Sequence, residues 1–144
     1  MAFDAVGDYP LGTQRPDLVR TPSGLALEEL TLDALRVGLL EASDMRATAE
    51  TLRLQGEVAR AAGRAELAAN LDRAAELTAI PDEVILEIYT ALRPDRSTAE
   101  QLDRWTERLE HDFGATMTAA FVREAKEVYG ERNLLSPDDR ATQV

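Results

Sequence analysis

The sequence predicts an all-α protein, an irregular array of five or six short helices with an extended N-terminal arm. Its 144 residues include 23 Ala and 20 Leu but only 8 Val and 3 Ile. Ala and Leu are strong helix formers, whereas strands favour the β-branched residues that are scarce here. A chain of 15.8 kDa fits one domain. Its core is expected to be thin, because each Ala side chain buries little apolar area.

The first 24 residues form the expected arm. Three prolines and three glycines lie in this segment and predict extended chain, not a helix. Apolar anchors in such an arm indicate that it lies along a surface, either its own or a partner's. Four apolar residues are therefore the candidate partner interface: Tyr9, Leu11, Leu18 and Val19.

Residues 25–135 form the expected helical domain, and its first three helices are bounded by recognisable end signals. Thr is a favourable N-cap residue, and Gly favours the left-handed turn that closes a helix. In the third of these helices, Leu67 and Leu71 share the expected apolar stripe. The three predicted spans are Thr31 to Gly38, Thr48 to Gly63 and about Ala65–Thr78.

A fourth helix is bounded by prolines. Pro81 lies in its first turn, and Pro94 ends it. Asp82 and Glu83 follow Pro81 and complement the positive end of the helix dipole. The next segment, Ser97-Thr98-Ala99-Glu100, matches a capping box and predicts the start of a fifth helix.

The fifth helix carries Leu102 and Leu109 at helical spacing. A last helix is predicted over about Ala115–Arg132, with Phe121 on its apolar stripe. Residues 136–144 form the expected polar tail.

Composition excludes two classes of partner. The formal net charge is −11 and the predicted pI is about 4.5. Nucleic-acid binding needs a cluster of Lys and Arg, and the sequence has none. Anionic membrane surfaces repel such a chain, and no apolar run approaches the ~20 residues that span a bilayer. Without cysteine or an N-terminal signal sequence, the chain is expected in the cytoplasm or in something enclosed within it.

Residues for catalysis are sparse. With no Cys and one His, His111, the chain lacks the usual sets for a catalytic triad or a structural zinc site. Glu107 shares a helical face with His111, which makes half a metal site, and we expect His111 at the surface. Arg93-Pro94-Asp95-Arg96 could grip an anion, although the helix dipole already accounts for Arg93. We therefore expect no catalytic, cofactor-binding or metal-binding residue in this chain.

Several segments are more distinctive than helical periodicity explains. They follow one another from about Asp8 to Leu135 without large gaps. The segments are Tyr9-Pro10-Leu11, Thr21-Pro22-Ser23-Gly24, Asp44, Arg46, Ile80-Pro81-Asp82-Glu83, Ile88-Tyr89, Ala91-Leu92-Arg93-Pro94, Arg96-Ser97, Ala119-Ala120-Phe121-Val122-Arg123-Glu124-Ala125 and Val128-Tyr129. Through them the chain resembles the small (gamma) subunit of adenosylcobalamin-dependent diol and glycerol dehydratases. Asp95 departs from the family pattern, in which an aromatic residue is common.

The resemblance implies a part of a three-subunit lyase, assembled as a dimer of heterotrimers. In that family the enzyme converts 1,2-propanediol or glycerol to an aldehyde and water by a radical route. The large (alpha) subunit carries the barrel active site, and adenosylcobalamin lies between the large and medium (beta) subunits. The small subunit packs mainly on the large one, so this chain is expected to bind no cofactor itself. Some members of the family work inside bacterial microcompartments.

Two other hypotheses remain open at this point. One is a free-standing helical adaptor or regulator that has kept the fold. The other is an independent acid–base enzyme that uses its carboxylates. If the subunit hypothesis holds, deletion of residues 1–24 is expected to weaken association with the large subunit.

Overall fold

The computed structural model describes residues 2–137, which fall into two units, one ending at Thr78 and the other beginning at Ala79. Both units are helical. The described residues contain no strand, only an isolated antiparallel bridge between Arg20 and Ala26. The all-α prediction is therefore confirmed. The division falls inside residues 25–135, for which the sequence predicted a single domain.

The first unit contains four α-helices and three short 3-10 turns. The helices are α1 (Leu11–Gln14), α2 (Leu32–Arg36), α3 (Ala49–Ala61) and α4 (Ala65–Leu77), and the 3-10 turns are Pro16–Leu18, Leu27–Glu29 and Ala42–Met45. Two of these elements, α1 and the first turn, lie in the arm that the sequence predicted as extended chain. That prediction was wrong over these residues, because the arm folds into helical turns that bury Leu11.

The predicted ends of α2 and α3 are confirmed. The Thr31 hydroxyl accepts the Ala34 N–H at 3.1 Å, and the Thr48 hydroxyl accepts the Thr51 N–H at 3.3 Å. These bonds satisfy backbone donors that have no partner inside the helix. Both helices are followed by glycines in the left-handed region, where a Cβ would be strained: Gly38 at φ +75° and Gly63 at φ +71°.

Small residues bring α3 and α4 close together. Gly56 and Ala59 are buried on α3, and Ala68 and Ala75 are buried on α4. A Cβ placed on Gly56 would lie 2.8 Å from an Asp72 carboxylate oxygen and 3.6 Å from the Ala68 carbonyl oxygen, so α4 packs directly against this glycine. The apolar stripe predicted on α4 was wrong at one residue, Leu67.

Leu67 is 43% exposed, while the next residue along, Ala68, is 1% exposed. Helical spacing alone allowed either residue to face α3. The close approach of the two backbones leaves room only for the smaller side chain.

The second unit contains α5 (Asp82–Ala91), α6 (Ala99–Phe113) and α7 (Thr116–Glu131). Gly114, at φ +61°, ends α6 and separates it from α7. The largest fully buried side chains are Leu102, Leu109 and Val122. Phe121 was predicted on the apolar stripe of α7 and is instead 45% exposed, because α7 turns its Ala119 and Val122 face inward.

The capping box of α6 lies one residue later than predicted. Thr98 and Gln101 form it, with the Thr98 N–H donating to the Gln101 side chain at 2.9 Å and the Gln101 N–H donating back at 3.2 Å. Ser97 is buried and donates its hydroxyl proton to the Ala91 carbonyl at 2.8 Å. The sequence is compatible with a capping box that begins at either Ser97 or Thr98. In the structure the box begins at Thr98, and Ser97 instead holds the loop between α5 and α6.

Truncation of Leu109 to Ala tests where the core of the second unit lies. Leu109 is fully buried, so Leu109→Ala should lower the free energy of unfolding by about 2–5 kcal/mol. The matched substitution Leu86→Ala removes a side chain that is 65% exposed and should change it by less than about 1 kcal/mol. Denaturant titration of the full chain measures both. Equal effects would contradict this assignment of the core.

Candidate functional site

The four residues predicted as a partner interface lie in the first unit and differ in exposure. Tyr9 is 57% exposed, whereas Leu11 is 3% exposed and belongs to the core of its own unit. Leu18 and Val19 are half-buried. The prediction is therefore corrected for Leu11, which cannot face a partner while it is packed in this way, and Tyr9 is the only one of the four that is largely exposed.

An arginine that the sequence reasoning missed holds the arm in its folded shape. The Arg15 guanidinium donates to Asp8 and to Asp17, each at 3.0 Å, and the Arg15 side chain is only 15% exposed. Hydrogen bonding to Arg15 lowers the pKa of the Asp17 carboxyl below its ordinary value. The sequence signal that could have revealed this turn is the pair of opposite charges on either side of Pro16, Arg15 and Asp17.

Two of the distinctive sequence segments meet at a buried carboxylate. Asp44 is 5% exposed. It accepts the Ser23 hydroxyl proton at 2.5 Å and the Glu41 N–H at 2.9 Å. The Ser23 hydroxyl also contacts the Thr21 hydroxyl at 3.0 Å. The bond from Ser23, then the Glu41 N–H, and a further bond from Thr21 hold the pKa of Asp44 below its ordinary value. The cluster ties residues 21–24 to the 3-10 turn that contains Asp44.

Two other distinctive segments meet in the second unit. The Tyr129 hydroxyl donates to the Leu92 carbonyl at 2.6 Å, and the Asp95 N–H donates to the Leu134 carbonyl at 2.8 Å. Asp95 adopts a left-handed conformation at φ +61°. Together with the bond from Ser97 to Ala91, these contacts fasten the α5–α6 loop to the end of α7. The residues Arg93 to Arg96 therefore belong to a structural turn, and both arginines are exposed at the surface.

His111 lies on the exposed surface of α6, in its last turn, as predicted. Within the described part of the chain, no three His, Cys, Asp or Glu side chains are placed to hold a metal ion. Asp82 and Glu83 occupy the first turn of α5, in agreement with the prediction from the helix dipole.

The most prominent exposed feature is an apolar surface around α2. Five large aliphatic or thioether side chains between positions 32 and 45 are each 54–72% exposed. We call them the α2 apolar surface: Leu32, Leu35, Val37, Leu39 and Met45. Leu32 and Leu35 share one side of the helix, and the Leu39 N–H returns to the Ala34 carbonyl at 2.9 Å through the turn at Gly38. Concentrated exposure of this kind marks interaction surfaces.

Comparison with known proteins gives the family of this chain. A sequence model described as the dehydratase small subunit matches residues 5–136. The chain belongs to the dehydratase small-subunit family. It is 51% identical over 134 residues to the propanediol dehydratase small subunits of Citrobacter freundii and Salmonella typhimurium, an alignment that covers 93% of this chain and 78% of each relative.

The family resemblance and the loop contacts involve some of the same segments. Some of the segments through which the chain resembles the family tie residues 21–24 to Asp44 and the α5–α6 loop to the end of α7. No helix in the described residues 2–137 is both long and apolar enough to cross a membrane. Sequence reasoning did not find the α2 apolar surface, although the run of Leu32, Leu35, Val37 and Leu39 in a very short helix was a visible signal.

The Asp44 cluster predicts a dependence of stability on pH. Because the folded-state pKa of Asp44 is lowered, its contribution is fully present above the pKa of an unfolded Asp, about 3.9, and is lost as pH falls through the folded-state value. Asp44→Asn should lower the midpoint of thermal unfolding at neutral pH and flatten its decline in acid. Circular dichroism between about pH 7 and 2.5 measures both. The control Asp33→Asn alters a side chain that is 90% exposed and should keep the wild-type profile.

Proposed function

We propose that this chain is the small subunit of an adenosylcobalamin-dependent dehydratase that converts 1,2-propanediol or glycerol to an aldehyde and water. The family match over residues 5–136 carries the proposal. The 51% identity to two propanediol dehydratase small subunits favours 1,2-propanediol of the two substrates. We place the assembly in the cytoplasm, or in a bacterial microcompartment within it, as a dimer of heterotrimers with large and medium subunits.

In this proposal the chain docks on the large subunit through the α2 apolar surface. A fully buried Leu, Val or Met side chain contributes on the order of 1.5–3 kcal/mol relative to an exposed one. Five such side chains lie largely in solvent in the isolated chain, so covering them supplies a driving force for association. Obligate interfaces are more apolar than ordinary protein surface, which suits this composition.

Tyr9, Leu18 and Val19 of the interface prediction stay in the proposal, and Tyr9 is the most exposed of the three. Tyr is enriched in the buried parts of interfaces because its ring adds apolar area and its hydroxyl finds a partner. Deletion of residues 1–24 is no longer a clean test. It would also remove Leu11 from the core and Ser23 from Asp44, so loss of association could follow from unfolding alone.

The residues of this chain do not fit adenosylcobalamin, so we place the cofactor on the large and medium subunits and derive no step through it. His111, the sole imidazole, lies exposed on α6. A cavity of about 500 Å³ in the first unit is lined mainly by Ala and aliphatic side chains, with Tyr9, Gln55 and Arg64 as its polar residues. We propose that the chain contributes binding and stability to the assembly, with the chemistry on other subunits.

A charge placed in the α2 apolar surface tests the docking proposal. In the co-expressed complex, Leu35→Asp should weaken association with the large subunit by about tenfold or more, because the carboxylate would lose its hydration without a partner. Asn70→Asp, on the exposed surface of α4, adds the same charge away from this surface and should behave as wild type. Affinity purification on the large subunit, followed by gel densitometry, measures the retained chain.

The free-standing adaptor is the second hypothesis, and size-exclusion chromatography separates it from the subunit. We expect the chain to co-elute with a co-expressed large subunit. A stable monomer that never co-elutes would support the adaptor and reject the docking proposal. Dehydratase activity of the chain alone would instead support an independent enzyme.

A further inference from the structure

A cluster of arginines in the second unit forms a groove for a negatively charged group. The cavity has a volume of about 310 Å³ and its lining contains no carboxylate. We call it the arginine groove, and its lining residues are Arg96, Ser97, Gln101, Arg104, Trp105 and Arg108. Three guanidinium groups around one cavity are unusual in a chain of net charge −11.

Two arginines of the groove, Arg104 and Arg108, have longer ion-pair contacts than Arg123 and Lys126 in the same unit. Arg108 lies 3.8 Å from Glu87 and 3.7 Å from Asp112, which is beyond hydrogen-bond length, and Arg104 is 3.4 Å from an exposed Glu100. Outside the groove, the ion pair of Lys126 with Asp103 closes to 2.5 Å, and that of Arg123 with Glu110 to 2.7 Å.

Arg96, the remaining arginine, has no side-chain hydrogen bond or ion pair among the described residues. Its backbone is held in the fastened α5–α6 loop, so its position at the rim of the groove is well defined. A guanidinium presents several N–H groups in one plane and binds a carboxylate through two parallel hydrogen bonds. The groove therefore has donor capacity that residues 2–137 leave unused.

An aromatic platform connects the arginines to an apolar hollow. The Arg108 guanidinium carbon lies 5.0 Å from the centre of the Trp105 ring. It also lies 5.9 Å from the centre of the Phe113 ring, so cation–π contacts help to hold Arg108 at the groove. Trp105 and Arg96 also line a second hollow with Leu86, which is 65% exposed, and Thr90. The one carboxylate in its lining, Glu87, lies 3.8 Å from Arg108. The groove thus combines a cationic end with an apolar end.

We propose that the arginine groove binds an acidic segment of the large subunit, with a carboxylate on Arg96 and Arg104 and a neighbouring apolar side chain against Trp105 and Leu86. This inference rests on the proposed function, because it assigns the occupant to the partner subunit. Trp and Arg are the residues that most often dominate binding energy at interfaces. A peptide segment fits better than a free anion, because a free anion would leave the apolar hollow unfilled.

Removal of two charges tests the groove in the assembled complex. The double variant Arg96→Gln/Arg104→Gln should lower retention of the chain on the large subunit on the order of tenfold at about 0.1 M salt and flatten its salt dependence. The double variant Arg53→Gln/Arg132→Gln removes two exposed charges outside the groove and should behave as wild type. Thermal unfolding of each full chain separates loss of binding from loss of folding.

Cross-linking identifies the occupant. The chain has a single lysine, Lys126, so Arg96→Lys places one new amine at the groove. A zero-length carbodiimide should join it to an Asp or Glu of the large subunit, and peptide mass spectrometry would locate the bond. The expected cross-link between Lys126 and Asp103 serves as an internal control.

Three outcomes would overturn the groove proposal while the chain still assembles with the large subunit. One is retention of the groove variant at the wild-type level. The second is a cross-link from position 96 only to the chain's own Asp138 or Asp139. The third is a cross-link only to the medium subunit. If the wild-type chain does not assemble with the large subunit at all, the proposed function itself fails.

Discussion

Close packing of small side chains between paired helices is the constraint on which the rest of the structure depends. Gly56 and Ala68 let α3 and α4 approach, and Ala119 does the same between α6 and α7. An interface built this way excludes water but buries little apolar area per residue. Large side chains such as Leu67 and Phe121 are displaced toward solvent. The exposure of these two side chains follows from the narrow gap between the paired helices.

Specific polar contacts hold the arm and loops in place, which so small a core cannot do by itself. The buried Asp44 gathers hydrogen bonds from Ser23, Thr21 and the Glu41 backbone, and Arg15 clamps the arm between two carboxylates. In the second unit, Tyr129 holds the loop after α5. The bonds from Ser23 to Asp44 and from Tyr129 to Leu92 join residues 21 and 37 positions apart, so they restrict the chain more than a contact within one helix does. Ser23, Asp44 and Tyr129, which lie in segments that carry the family resemblance, therefore close loops.

A subunit with a small core and wide apolar surface is consistent with a protein that reaches full stability in an assembly. Binding that favours the folded state adds to its stability by mass action. The α2 apolar surface and the arginine groove would contribute differently to that binding. Apolar burial supplies affinity, whereas the guanidinium groups select an acidic partner segment and orient it. The two surfaces lie in different units, so residues of one surface can be substituted without changing the other.

The sequence by itself determined the helical class, most helix ends and the family. Thr31, Thr48 and the glycines after α2 and α3 act through local backbone geometry, which the neighbouring residues specify. Which face of α4 and α7 turns inward was decided only by tertiary packing, because helical spacing permitted both Leu67 and Ala68, and both Phe121 and Val122. The arm folds for the same reason: burial of Leu11 and the Arg15 ion pairs depend on contacts that local propensity does not contain. The arginine groove likewise joins residues of one loop and two turns of α6, and their shared cavity exists only in the folded chain.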